Sequence, residues 1–166
     1  MTRMTEFLYG LLAAAKRGAS LPLRLIVGYG FMAHGYAKLH RGPEFFIATL
    51  QSLHVPAPEL MGWATIIVEL ACGLAVLAGA FLPLVTVPMA VVLLVAMFTV
   101  HLPFGFSSVK LIAVTATGPT FGPPGYEVAL LYLACLAALL MNGPGPYSFD
   151  AYLLNRAALR RREDPR

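Results

Sequence analysis

Hydrophobic residues run along this chain in long blocks, not in the short alternation of a half-buried strand. A bilayer span takes about 20 mostly apolar residues, with a range of about 17–25. Four blocks reach that length, at about residues 22–39, 60–82, 84–102 and 124–141. Pro22 opens the first, at a position where its missing N–H has no partner to lose. Backbone groups in lipid must be paired within the structure, so long blocks without a period of two predict helices. The expected fold class is an all-α membrane protein, a four-transmembrane-helix bundle with short interfacial helices. The expected domains are an N-terminal amphipathic segment (residues 1–21), a membrane domain (22–142) and a basic tail (143–166).

The segments between blocks carry their own pattern. Phe46, Leu50 and Leu53 recur at helical spacing after Pro43, which predicts a short helix lying flat at the outer interface and ended by Pro56 and Pro58. A stretch of about 21 residues from Pro103 holds Gly105, Gly118, Gly122, Pro119 and Pro123 around the β-branched run Val109–Thr117. Structureless loops of that length are uncommon. A lid over the outer end of the bundle and a packed loop without function both fit it. Phe7–Ala15 is apolar and precedes Lys16-Arg17, the wrong polarity for a cleaved signal. It reads as an amphipathic segment on the inner leaflet. Asp150–Arg162 sets Leu153, Leu154, Ala157 and Ala158 against Arg156, Arg160 and Arg161. That predicts a basic interfacial helix with Asp150 as its N-cap.

Composition agrees with the blocks. The chain of 166 residues is 58% hydrophobic and 12% charged, against about 45–50% and about 25% in soluble domains. Only Arg24, Lys38, Arg41, Glu44, Glu59, Glu69, Lys110 and Glu127 are charged between residues 18 and 149. The net charge of +4 belongs to the tails and offers no broad basic face for nucleic acid. With four spans the tails share a side, and Lys and Arg divide nine to three in favour of that side. The positive-inside rule then predicts both termini in the cytoplasm of a multi-pass membrane protein. Arg24, at the inner edge, is expected to snorkel. Cys72 and Cys135 lie in apolar blocks outside any C-x-x-C pair and read as packing residues.

An ionisable group in mid-membrane costs about 2.5–3.5 kcal/mol on insertion scales and usually faces the bundle interior. Glu69 is the sharpest case, about 15 Å along its helix from Glu59 at 1.5 Å per residue. Without a partner, desolvation makes its charged form costly. His34 and Lys38 are four apart at the outer end of the first block, hence on one face. His101 closes the third block and Glu127 lies in the first turn of the fourth. A structural hydrogen-bond network, a site for a polar head group or protons, and a bound haem or metal are the readings these residues leave open. No His-x-x-His or Glu-x-x-His pair occurs, so no metal centre is assigned.

The order of these motifs resembles the DoxX family. Arg24-Leu25-Ile26-Val27-Gly28 with Phe31 and His34-Gly35-Tyr36-Ala37-Lys38-Leu39 is similar to its first-helix signature. Pro56-Ala57-Pro58-Glu59-Leu60, Glu69-Leu70 and Gly73-Leu74 resemble its second. His101-Leu102-Pro103, Gly125-Tyr126-Glu127 and Gly143-Pro144-Gly145-Pro146-Tyr147-Ser148-Phe149-Asp150 continue the likeness. The resemblance implies a four-helix inner-membrane protein linked to oxidoreductase complexes near the quinone pool. On that reading a quinone is the candidate cofactor, and the partners are lipid, an oxidoreductase subunit and a second copy. Glu69 is expected to carry protons and His34 and His101 to serve a quinone carbonyl. Lys38 and Glu127 would set the local potential, and Phe31 and Tyr126, with Phe104 and Phe106, would line a ring pocket. A non-catalytic scaffold or assembly factor, and a small-molecule or proton transporter, are the alternatives.

Overall fold

The computed structural model describes residues 3–7, 9 and 18–163. Of the expected N-terminal amphipathic segment, residues 1, 2, 8 and 10–17 lie outside the described residues.

Helix α1 spans Ser20–Arg41 and ends where Gly42 takes φ +101°. Pro43 restarts the chain as helix α2, Pro43–Ser52, which is the short helix the spacing predicts. Helix α3 runs Pro58–Ala78, with a π turn at Val68–Cys72. It stops at Gly79, φ +67°, where Ala80 N–H donates to Ala75 O at 2.8 Å and Gly79 N–H to Val76 O at 3.0 Å. This is the left-handed helix stop that glycine permits. Helix α4 covers Leu82–Phe104 and has its own π turn at Met97–His101. Helix α5 spans Glu127–Asn142 and α6 spans Phe149–Glu163.

Each of the four hydrophobic blocks lies in one of α1, α3, α4 and α5. These helices pack around one core of Val27, Phe31, Val76, Met89, Leu136 and Leu139. By length and composition α3 and α4 suffice to cross a membrane, whereas α5 is apolar but shorter.

The long segment after α4 is not a structureless loop. Strands β1, Leu111–Thr115, and β2, Gly118–Phe121, form an antiparallel hairpin with a bulge between Leu111 and Ala113. The β-branched run thus takes its intrinsic preference, and the expected all-α architecture gains a two-stranded sheet. Neither strand lines the cavity described below.

The end of the bundle nearest the C-terminal segment departs from expectation at Arg24. Its side chain does not snorkel: the residue is 3% exposed. Its guanidinium donates to Val76 O at 3.1 Å, Leu77 O at 2.6 Å, Pro144 O at 3.0 Å and Tyr147 O at 2.7 Å. Two of those carbonyls lie in the last turn of α3, the negative end of its dipole, and Val76 O also accepts from Gly79 N–H. Only the five-donor fork of an arginine spans four acceptors in this way. Asp150 also takes a different role from the one expected. Its carboxylate accepts from Phe81 N–H at 3.0 and 3.1 Å, across the α3–α4 turn. The hydroxyl of Ser148 caps α6 instead, accepting from Ala151 N–H at 3.1 Å. The Gly143–Asp150 motif is therefore a latch that ties α1, the α3–α4 turn and α6 together.

Candidate functional site

The half of the bundle remote from Arg24 holds a paired charge. Lys38 Nζ donates to both carboxylate oxygens of Glu69, each at 2.6 Å. Glu69 is thus not alone: its side chain is 7% exposed and that of Lys38 22%. Three local features create the pair. The π turn at Val68–Cys72 widens the helix where Glu69 sits, and π turns often mark functional positions. Gly35, one turn before Lys38, clears the approach, since a Cβ there would lie 3.0 Å from the Cβ of Glu69. Phe46 of α2 covers the ammonium, which stands 4.9 Å from the ring centroid.

A cavity of about 280 Å³ opens beside the pair. His34, Lys38, Glu69 and His101 all line it, together with Phe31. His101 belongs to the second π turn, so both helical irregularities present a polar residue to one space. Its Nδ1 lies 3.1 Å from Pro124 O. A carbonyl only accepts, so Nδ1 carries the hydrogen and Nε2 of the neutral ring is the basic nitrogen. The opposite wall is apolar, with Leu93, Ala96 and Ala129. Phe31 and Tyr132 meet edge to face at 5.7 Å between centroids. His34 and Lys38 also line a second cavity of about 280 Å³, between α1 and α2, with Arg41 and Phe46.

A family comparison covers the helices that carry the ion pair. The DoxX profile matches residues 19–102. The chain belongs to the DoxX family. Nothing among curated proteins or solved structures matches it. Family membership and the two apolar helices make this DoxX protein a membrane protein.

The DoxX match ends near the C-terminal end of α4, so the hairpin and α5 lie beyond it. Two of the expected site residues also stand apart from the cavity. Glu127 is not among its lining residues; its Oε2 accepts from Ser108 N–H at 3.0 Å and fastens the hairpin neck to α5. Tyr126 packs edge-on against Phe106 at 5.7 Å and is likewise absent from the lining. Tyr132, two turns further along α5, does line it. Its signal in the sequence was weak, because an aromatic in an apolar helix reads as core. Gly35 stands out in the sequence only as part of the first-helix motif. Among the described residues no group of three or more His, Cys, Asp or Glu side chains is placed to hold a metal ion.

Proposed function

We propose that this DoxX protein is a four-span inner-membrane subunit, both termini cytoplasmic, that binds a quinone in the outer half of its bundle for a partner oxidoreductase. The observation that carries the reading is the cavity itself. It joins an apolar, aromatic wall to a Lys–Glu pair and two imidazoles at one end. Ligand pockets commonly combine apolar walls with a few polar groups that fix orientation, and a planar ring bearing carbonyl oxygens matches that division.

Two features favour four spans. At 1.5 Å per residue, α1 is about 33 Å long, enough for a hydrocarbon core of about 30 Å. Its two interior charges, Arg24 and Lys38, both have partners within the protein. The basic tails favour the cytoplasm for both termini.

A bound quinone supplies a couple that exchanges two electrons and two protons within the lipid phase, the electrons coming from a partner redox subunit. Phe31 and Tyr132 hold the ring. Lys38 and His34 place hydrogen-bond donors at one end of it. His101, with Nδ1 occupied by Pro124 O, offers Nε2 as the nitrogen that takes or returns a proton. The Glu69 carboxylate balances Lys38 and would take up the second proton only while a quinol is oxidised, returning it on reduction. Proton transfer by positioned groups contributes about 10²–10⁴-fold to rate.

Purification in native lipid with a small-molecule mass spectrum and an absorption spectrum tests this reading. Quinone is expected, and Glu69→Gln and His101→Ala are expected to lower the quinone reductase rate of the assembled complex. A preparation that carries no quinone, binds none when it is added and shows no haem band would replace the reading by a non-catalytic scaffold.

A further inference from the structure

The β1–β2 hairpin is apolar where it is most exposed. Val109 is 72% exposed, Ile112 69% and Val114 75%, with Leu111 and Phe121 also open. The two strands pack chiefly on each other. A lone two-stranded hairpin is marginal in water and needs an apolar contact to persist. We propose that this hairpin inserts into the outer leaflet, at the boundary between headgroups and acyl chains, with the lipid surface as its partner.

Several observations select lipid. First, the hairpin continues an apolar surface: Phe98, Leu102, Phe104 and Phe106 are exposed on α4 and just after it. Second, its polar side chains are turned inward on its own backbone. Ser107 Oγ donates to Val109 O at 2.9 Å, Thr115 Oγ1 to Gly118 O at 2.9 Å, and Thr120 Oγ1 to Ala113 O at 3.2 Å. Thr115 and Thr117 also share a hydrogen bond at 2.9 Å. Third, Pro119, Pro123 and Pro124 lack backbone N–H groups, so this side of the hairpin carries few donors to desolvate. A free strand edge still forbids the deep hydrocarbon, which fixes the depth at the interface. The segment's one charge, Lys110, suits a headgroup phosphate there.

The neck is stiff enough to hold this position. Gly125 N–H donates to Ser107 O at 3.0 Å, Tyr126 N–H to Gly105 O at 3.1 Å, and Glu127 N–H to Phe106 O at 2.9 Å. Gly125 is needed for that closeness, since a Cβ would overlap Gly105 O. Pro124 and Gly125 also line the main cavity, so the wedge stands beside its mouth. The proposal rests on the membrane placement of α3 and α4, and is independent of what the cavity binds.

Tryptophan fluorescence tests it in the full chain reconstituted into phospholipid vesicles. The protein has one tryptophan, Trp63, part-exposed on α3. A Trp63→Phe, Val114→Trp protein reports on the hairpin alone, and Trp63→Phe, Phe121→Trp is a gentler second reporter. Lipids brominated near the headgroup should quench both reporters at least as well as they quench Trp63 in the unaltered protein, with little quenching by aqueous acrylamide. Strong acrylamide quenching without bromolipid quenching would overturn the proposal by placing the hairpin in water. Shielding from both quenchers would overturn it in favour of a second copy covering the hairpin. Failure of bromolipid to quench Trp63 itself would overturn the membrane placement on which the proposal stands.

Discussion

Two cations, Arg24 buried and Lys38 half-buried, decide most of what single residues do here. Lys38 and Glu69 were each visible in the sequence as rare charges, but their pairing joins positions 31 residues apart and no local pattern encodes it. Removing one member leaves the other charge buried without a partner, which costs about 3–5 kcal/mol. Lys38→Met should therefore lower stability by about that amount in a thermal melt in detergent micelles. Lys38→Met with Glu69→Leu should recover most of the loss, because neither charge is then stranded. A double variant no more stable than Lys38→Met alone would show that the pair is not the cause. Arg24 works differently, since its partners are four carbonyl oxygens and no carboxylate lies within ion-pair range among the described residues. Hydrogen bonds to a charged group contribute about 1.5–3 kcal/mol each, so Arg24→Ala should cost more than about 3 kcal/mol. Arg24→Lys keeps the charge but offers three donors without the planar fork, and its melting temperature should fall between those of Arg24→Ala and the parent. The sequence marked Arg24 as a rare charge at the start of the first apolar block. It did not show that residues 120 and more positions away fold back to enclose it.

Helices in lipid are not drawn together by the hydrophobic effect, so close packing and interhelical polar contacts must hold this bundle. Gly28 and Gly73 supply the closest approach between α1 and α3. A Cβ on Gly28 would lie 2.7 Å from Gly73 O, and one on Gly73 would lie 2.9 Å from Gly28 O. Backbone is the obstacle in both cases, and it cannot rotate away. Gly28→Ala should cost about 1–3 kcal/mol, the usual range for overpacking, and should widen the α1–α3 spacing measured by spin-label distances. Unchanged spacing and stability would mean that the two helices are held elsewhere. The long helices were legible because a block of about 20 apolar residues has few other uses. The two π turns were not, because one extra residue in a turn leaves composition and block length unchanged. Both nevertheless carry a cavity residue, Glu69 and His101. The hairpin was half legible: the β-branched run was seen, but its length and proline content made it read as loop. Glu127 was legible as a helix-start carboxylate, but its partner was not, being a backbone N–H 19 positions away.

At the scale of the whole molecule the number of crossings follows from whether α1 and α5 span as α3 and α4 are built to do. If only α3 and α4 cross, the chain before α3 and the chain after α4 lie on one side of the membrane. If all four cross, α2 and α6 lie on opposite sides. The two arrangements therefore differ at a pair of exposed positions, Ser52 at the end of α2 and Ala158 on α6. Single cysteines there, in a Cys72→Ala, Cys135→Ala background, can be probed in intact cells with a membrane-impermeant maleimide. The four-span arrangement with cytoplasmic tails predicts that Ser52→Cys is labelled from outside, whereas Ala158→Cys is labelled only after permeabilisation. Labelling of both from one side would reduce α1 and α5 to helices lying along the membrane. It would also strand Lys38, Glu69 and His34 near an open interface, where a charged pair contributes little and a lipid-borne ring has no enclosed slot. The labelling pattern thus bears on the cavity as well as on topology. Its apolar wall is built from α1, α4 and α5 together, so it excludes water only if all three are in the bilayer.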